Sequence, residues 1–388
     1  MEKGSESTDV VIKLHRTKKF SVFIATCSSI LTSQQSSSSD QQLKRKRIEK
    51  SPSSPSEEFT SRKESKWLSD QLAAATNGIQ NINLSSKIVK DVLEEHLVKS
   101  RQLRAEQLQD SLLKGAMSVD TVIEKLGNLA REEVLHFDTN LFQLKSAFSS
   151  MLFENRDEDY IKQYIATAGS EIKDLKLEHL HEWVHGDKGQ KKDRAEKLAF
   201  LSPMLNQERR AIFQRCYDNF VLSFILPSVE ATLPITSRTG EHFYQAFPCT
   251  RVIRPGEFSL GPHSDCNYGF QAGNVNFYLP LVTIGGSNSL AIESTPGRED
   301  WHFLVLKYGE IQRFWGAMCT HFTPENTTNE TRVSFDFRVI PGIVFERKDR
   351  YSETPGYYLR ATLGSDGTWT RHDPIPNPDW RCGFPFVK

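Results

Sequence analysis

Two spacings of apolar residues divide the chain. From Trp67 to about Glu230 the stretch "SSKIVKDVLEEHLVKSRQLRAEQLQDSLLKGAM" places Ile88, Val92, Leu97, Leu108 and Leu112 among charged positions. That periodicity, in good helix formers, predicts amphipathic helices. "SVDTVIEKLGNLAREEVLHF" opens on Ser118 and has Asp120 in its first turn, as a helix start does. "NQERRAIFQRCYDNFVLSFILPSVE" reads as another helix with aromatics on its buried side. Beyond Pro234 the runs become short, β-branched and aromatic, as in "GNVNFYLPLVTI", "SNSLAIES" and "TRVSFDFRVIPGIVFE", and Gly, Pro and Asn separate them. Helices followed by strands imply an α+β fold, a barrel or sandwich with N-terminal helices packed on one outer face.

Within "TRVSFDFRVI" the alternation is strict. Arg332, Ser334, Asp336 and Arg338 share one face of the strand, and Val333, Phe335, Phe337 and Val339 share the other. A charged face inside a barrel makes sense where the interior is a site. The apolar face is then the one that meets the helices.

Composition adds boundaries. The 388 residues carry no net formal charge and are 38% hydrophobic, enough for a real core. Charge balance argues against a general nucleic-acid binder. Residues 1–66 read as a disordered Ser-rich tail, 67–235 as a helical region supporting the barrel, 236–345 as the β core and 346–388 as a C-terminal extension. The tail holds Lys44-Arg45-Lys46-Arg47, either a nuclear address or a solvated charge cluster. The apolar run "FSVFIATCSSIL" is too short to span a bilayer, and no secretory signal layout is present, so cytosol or nucleus is expected and no membrane partner. Six scattered cysteines without a CxxC pair fit reduced thiols.

The chemistry concentrates in "GPHSDCNYGF". His263 and Asp265, two apart on an extended chain, point to the same side. His321 stands far downstream at the end of "IQRFWGAMCTHF". Two imidazoles and one carboxylate form the facial triad of a non-haem Fe(II) site, which leaves three positions for a bidentate cosubstrate and dioxygen. If 2-oxoglutarate chelates that iron, its far carboxylate needs a cation. Arg332 offers a planar fork and Ser334 a hydroxyl on the same face. A hairpin closed at "TPENTTN" is expected to set His321 opposite Arg332, with Arg338 too far along the strand to replace it.

These motifs, with "RVIRPGEFSLGPHSDCNYGFQAGNVNFYLPLV", "NSLAIESTPGRED", "YGEIQRFWG" and "THFTPENTTNETRVSFDFRVIPG", resemble the Fe(II)/2-oxoglutarate-dependent dioxygenase superfamily, and within it the StrG-type proteins of streptomycin biosynthesis, which are related to the phytanoyl-CoA hydroxylase-like branch. The resemblance covers residues 244–342. It implies a double-stranded β-helix (a jelly-roll, cupin-like core) with iron at its mouth. The resemblance settles no substrate; the expected activity is conversion of 2-oxoglutarate to succinate and CO2, coupled to hydroxylation of a small polar metabolite. Halogenating members of the superfamily carry a small residue in place of the triad carboxylate, so Asp265 favours hydroxylation or a related oxidation such as desaturation.

Other readings stand beside this one. The barrel could serve as a non-catalytic cupin-like binding module, or as a nuclear protein hydroxylase directed by the basic cluster. Arg332 could pair structurally with Asp336. Asn276 is expected to face inward toward the cosubstrate. Glu293 either caps a turn or binds a polar substrate. Tyr268, Arg251, Arg313 and Trp315 are further substrate-pocket candidates, the last with core packing as its commoner fate. His179, His181 and His185 read as a polar helix end and not as a metal site.

Overall fold

The computed structural model describes residues 87–153, 176–182, 207–257 and 259–374. All belong to the unit Pro55–Lys388; the unit Met1–Ser54, including the basic cluster, lies outside the described residues. Among the described residues, no helix is long and apolar enough to cross a membrane.

The expected helices form, except that the stretch opened by Ser118 is α-helical only to Leu126 and its end, Glu133–His136, is a strand paired with Glu310–Arg313. Helix α1 spans Lys87–Leu113 and α2 spans Val119–Leu126. Ser118 caps α2 by accepting from the Thr121 amide at 3.1 Å. Helix α3 is Leu144–Phe153, and α4, Gln207–Phe220, runs through a π-turn at Val221–Ile225 into α5, Leu226–Thr232.

Among the described residues there are eleven strands, most of them in the short runs beyond Pro234. They are β1 (Glu133–His136), β2 (Glu241–Gln245), β3 (Cys249–Ile253), β4 (Val275–Pro280), β5 (Ala291–Ile292), β6 (His302–Phe303), β7 (Glu310–Phe314), β8 (His321–Phe322), β9 (Arg332–Pro341), β10 (Tyr358–Leu363) and β11 (Trp369–Arg371). The large sheet is ordered β1-β7-β4-β9-β2-β10-β11, with β3 also on β9; the small one is β6-β5-β8. The named strand pairs are antiparallel. The large sheet takes β1 from the stretch 67–235 and β10 and β11 from the stretch 346–388, so its strands are not confined to 236–345.

Strand β9 organises the molecule. One edge pairs with β4; along the other, Arg332–Asp336 pairs with β3 and Val339–Pro341 with β2. Its apolar face packs on α4 as the alternation implies. Phe335 meets Phe213 edge-on at 5.8 Å and Phe337 meets Tyr217 at 5.3 Å. The Tyr217 hydroxyl donates to the Gln245 carbonyl at 2.7 Å, so the helix is keyed to β2 as well. With that face filled by aromatics, Arg332, Ser334, Asp336 and Arg338 are left on the opposite side.

Candidate metal centre

Backbone hydrogen bonds gather the ligands before any side chain acts. His263 N–H donates to the His321 carbonyl at 3.1 Å, and His321 N–H returns to the His263 carbonyl at 2.8 Å. Asp265 N–H donates to Gly316 O at 2.9 Å. A 3-10 turn over Asp265–Tyr268 ends on Gly269 at φ 87°, a left-handed conformation that suits glycine. Helix α1 braces both segments: Asn267 Nδ2 donates to Ser100 O at 2.6 Å, and Arg104 Nη1 to Met318 O at 2.5 Å.

One ligand atom from each of His263, Asp265 and His321 lies within 4.8 Å of the others. The three residues are 7%, 2% and 6% exposed. Each imidazole has its tautomer set by a carbonyl, which can only accept. His263 Nδ1–H donates to Gly261 O at 2.7 Å, and His321 Nδ1–H to Cys319 O at 3.0 Å. Both Nε2 lone pairs are thereby left for a metal, facing Asp265 Oδ1 at 4.0 and 3.6 Å. Burial, then the charge of His321, pushes His263 down to about 3, so it is neutral at ordinary pH. Burial alone would raise the Asp265 carboxyl; Arg338 and the two histidines outweigh it and hold it well below the usual range. Two imidazoles and one carboxylate are the donor types of a non-haem Fe(II) centre with open positions.

The second polar group lies on the same inner face. Arg332 is buried, and its Nη1 donates to Ser289 O at 2.7 Å. No carboxylate among the described residues pairs with it. Its Nε, Ser334 Oγ and Tyr278 Oη are all buried without a hydrogen-bond partner. A buried guanidinium with orphaned hydroxyls around it fits an anionic ligand. Asp336 is not its partner: Asp336 pairs with Arg251 Nε at 3.0 Å and Arg338 Nη1 at 2.7 Å.

Several expectations are corrected. His321 and Arg332 do not face each other in a hairpin. His321 pairs with Ile292 in the small sheet, and Arg332 with Ile253 in the large one. The connecting segment crosses between sheets, fastened by Asn326 Nδ2 to Ile253 O at 3.2 Å and Glu330 O at 2.7 Å. Asn276 faces inward, but toward the ligand set: its Nδ2 donates to Asp265 Oδ2 at 2.7 Å. Glu293 is a cap, accepting from the amides of Thr320 at 2.6 Å and Glu299 at 3.1 Å. Arg313 points to the opposite face of the sheet, where it pairs with Glu133 at 2.7 Å. Trp315 is core, its Nε1–H donating to Ala272 O at 2.7 Å, and it also borders a cavity of about 700 Å³ that includes none of the three ligands.

Tyr268 and Arg251 do lie by the triad. Tyr268 is 45% exposed and stands edge-on to the His263 ring at 5.1 Å. Arg251 sits directly across from Ser334 on β3. His179 bonds Glu182 and His181 bonds Thr331, as ordinary polar residues do; His185 lies outside the described residues. Cys216, Cys266 and Cys319 stand outside any disulfide, and the Cys249 sulfur accepts from Gln245 Nε2 at 3.3 Å. Sequence reasoning missed Tyr278, Gly316 and the role of Arg338. The parity of "VNFYLP" with Asn276 would have pointed to Tyr278.

A mixed helical and antiparallel-sheet fold and a buried two-histidine, one-carboxylate cluster together define a protein with a candidate facial-triad metal centre. The chain belongs to the StrG family: it is 33% identical over 149 residues to the streptomycin biosynthesis protein StrG of Streptomyces griseus, a match covering 38% of this chain and 71% of that protein. No known family profile matches the chain. Among solved structures, a nickel complex of the non-haem monooxygenase ThoJ aligns at TM-score 0.31 and 12% identity, over 58% of this chain and 77% of that one. The α-ketoglutarate-dependent epimerase SnoN from nogalamycin biosynthesis aligns at 0.29 and 10%, over 63% and 85%. CytC3 with Fe(II) and α-ketoglutarate aligns at 0.25 and 12%, over 56% and 76%. Overlaps this loose carry no argument about the site.

Proposed function

We propose that this protein is an Fe(II)- and 2-oxoglutarate-dependent oxygenase that hydroxylates a small polar metabolite, built on a double-stranded β-helix. The observation that carries the reading is the pairing of two buried features on one inner face. One is a triad with two free imidazole lone pairs and a carboxylate; the other is a buried guanidinium, Arg332, with no carboxylate partner among the described residues. His263, Asp265 and His321 would hold the metal. Arg332, Ser334 and Tyr278 would hold the far carboxylate of 2-oxoglutarate.

With both bound, the chemistry supplied is the coupled reaction of 2-oxoglutarate, O2 and a substrate C–H to succinate, CO2 and the hydroxylated product. The chain's own part is to bind and orient. The Gly261 and Cys319 carbonyls keep protons on Nδ1 and off the ligating nitrogens. Burial of the triad keeps bulk water from the ligands. Asp265 is a full carboxylate ligand, which supports oxygen insertion over halide transfer. Tyr268 and Arg251 flank the triad and are the substrate candidates that remain from the sequence.

The experiment is iron loading under argon, followed by succinate measurement on admission of air and a screen of metabolite extracts for a mass gain of one oxygen. Succinate formed only with Fe(II) supports the enzyme. Metal binding with no 2-oxoglutarate consumption under any condition favours the binding-module alternative.

A further inference from the structure

The two oxygens of Asp265 are chemically equivalent, but their surroundings are not. Oδ2 accepts from Asn276 Nδ2 at 2.7 Å and from Arg338 Nε at 3.0 Å. Oδ1 faces the two imidazole Nε2 atoms. We propose that Asn276 and Arg338 are positioning residues that restrict Asp265 to ligation through Oδ1 alone, and that a glycine at position 316 is required for this. The proposal rests on the triad reading above.

Both donors are held so that they cannot follow the carboxylate if it turns. Arg338 Nη1 is bound by Asp336 Oδ2 at 2.7 Å and Gln245 Oε1 at 3.3 Å, and its guanidinium lies over the Phe270 ring at 4.9 Å. Asp336 is fixed in turn by Arg251 Nε at 3.0 Å. The result is a buried row of alternating charge, Arg251, Asp336, Arg338, Asp265, ending on the ligand. Removing any member leaves an uncompensated neighbour, which keeps the row in one arrangement.

Asn276 is held by exclusion. A Cβ at Gly316 would lie 2.4 Å from Asn276 Nδ2 and 2.5 Å from its Cγ. The Gly316 carbonyl is also the acceptor for Asp265 N–H. Residue 316 must therefore touch the Asp265 backbone while leaving the space above it to the amide, and only glycine does both. With two donors on Oδ2, a metal bound to both oxygens would have to break a buried charge-assisted hydrogen bond, so one-oxygen ligation leaves a coordination position open for the cosubstrate or O2.

Co(II) is the probe, titrated into the full chain and followed by affinity and by its visible d–d bands. Asn276→Ala and Arg338→Gln are expected to weaken Co(II) binding by about 10–100-fold, with weaker visible bands as the freed carboxylate adds its second oxygen. Gly316→Ala should reproduce the Asn276→Ala spectrum, and Arg338→Lys should recover part of the affinity. Circular dichroism establishes folding. Should Arg338→Gln fail to fold, Asn276→Ala, which removes no charge, decides the matter. A folded Asn276→Ala protein with wild-type Co(II) affinity and spectrum, beside a wild type whose binding is lost in His321→Ala, overturns this proposal alone. A wild type that binds no Co(II), or binds it equally in His321→Ala, overturns the triad reading and this proposal with it.

Discussion

His263 and His321 are joined twice through their backbones, by amide-to-carbonyl bonds of 3.1 and 2.8 Å, and their rings stand 4.3 Å apart. The bridge ties the loop after β3 to the strand β8, so the distance between two ligands is set by main chain before any metal arrives. Such preorganisation reduces the ordering needed on binding. His263→Ala and His321→Ala should each remove one of three protein ligands and lower Fe(II) or Co(II) occupancy at least tenfold, while circular dichroism remains native. Metal analysis at equal protein concentration checks this; full occupancy in both would show the triad to be misassigned.

The proposed function gives Arg332 the far carboxylate of 2-oxoglutarate. A carboxylate bound in a buried site costs several kcal/mol when its charged partner is removed. Arg332→Ala is expected to raise the KM for 2-oxoglutarate by about 100-fold or more, with Co(II) binding unchanged. Ser334→Ala removes one hydrogen bond to a charged group, about 1.5–3 kcal/mol, so its effect is smaller. Uncoupled succinate formation reads both. Arg338 cannot serve as a bystander control here, because it donates to Asp265.

On the proposed function, the Asp265 carboxylate favours oxygen insertion over halide transfer. Wild type should insert oxygen even in abundant chloride, and Asp265→Gly should lose hydroxylation because a ligand disappears. Product mass spectrometry distinguishes the outcomes; a halogenated wild-type product contradicts the reading.

Glu293 supports His321 from behind. Its carboxylate accepts from the Thr320 amide, next to the ligand, and from Glu299. Glu293→Ala leaves the buried Thr320 amide unsatisfied, at about 1–3 kcal/mol, and frees the half-buried Glu299 amide at a smaller cost. Glu293→Gln keeps an acceptor and should lose less. Urea denaturation compares them, and equal stability of Glu293→Ala and wild type would remove the capping role.

A pH dependence follows from His302, on the small sheet, whose Nε2 bonds Glu132 Oε2 at 3.0 Å next to β1 of the large sheet. That bond raises the histidine's pKa in the folded state. A raised folded pKa means the contact's stabilisation is fully present below the unfolded value, about 6.5, and is lost as pH rises through the folded one. Both groups are partly exposed, so the effect is small. The melting-temperature gap between wild type and His302→Gln should be widest near pH 6 and close at alkaline pH; a gap that widens with pH contradicts the assignment.

What was legible in the sequence was whatever depends on local order. Strand parity put Arg332, Ser334, Asp336 and Arg338 on one face, because side chains alternate whatever the strand's neighbours are. Ser118 marked a helix start because a cap acts within its own turn. The order His263, Asp265, His321 pointed to a candidate ligand set because donor chemistry belongs to residue type, and the fold brings the three together. Which strand pairs with which was not legible. Nothing local in "TPENTTN" distinguishes a hairpin from a crossing between sheets, and the pairing of His321 with Ile292 and His263 is decided by contacts remote along the chain. The same holds for Glu293, whose capping partners lie at Glu299 and Thr320, and for Arg313, whose outward direction follows from its register opposite Phe277. The selection of one Asp265 oxygen was likewise left to tertiary structure, since it needs an amide from β4, a guanidinium from β9 and a bare Cα at Gly316 to meet at one point.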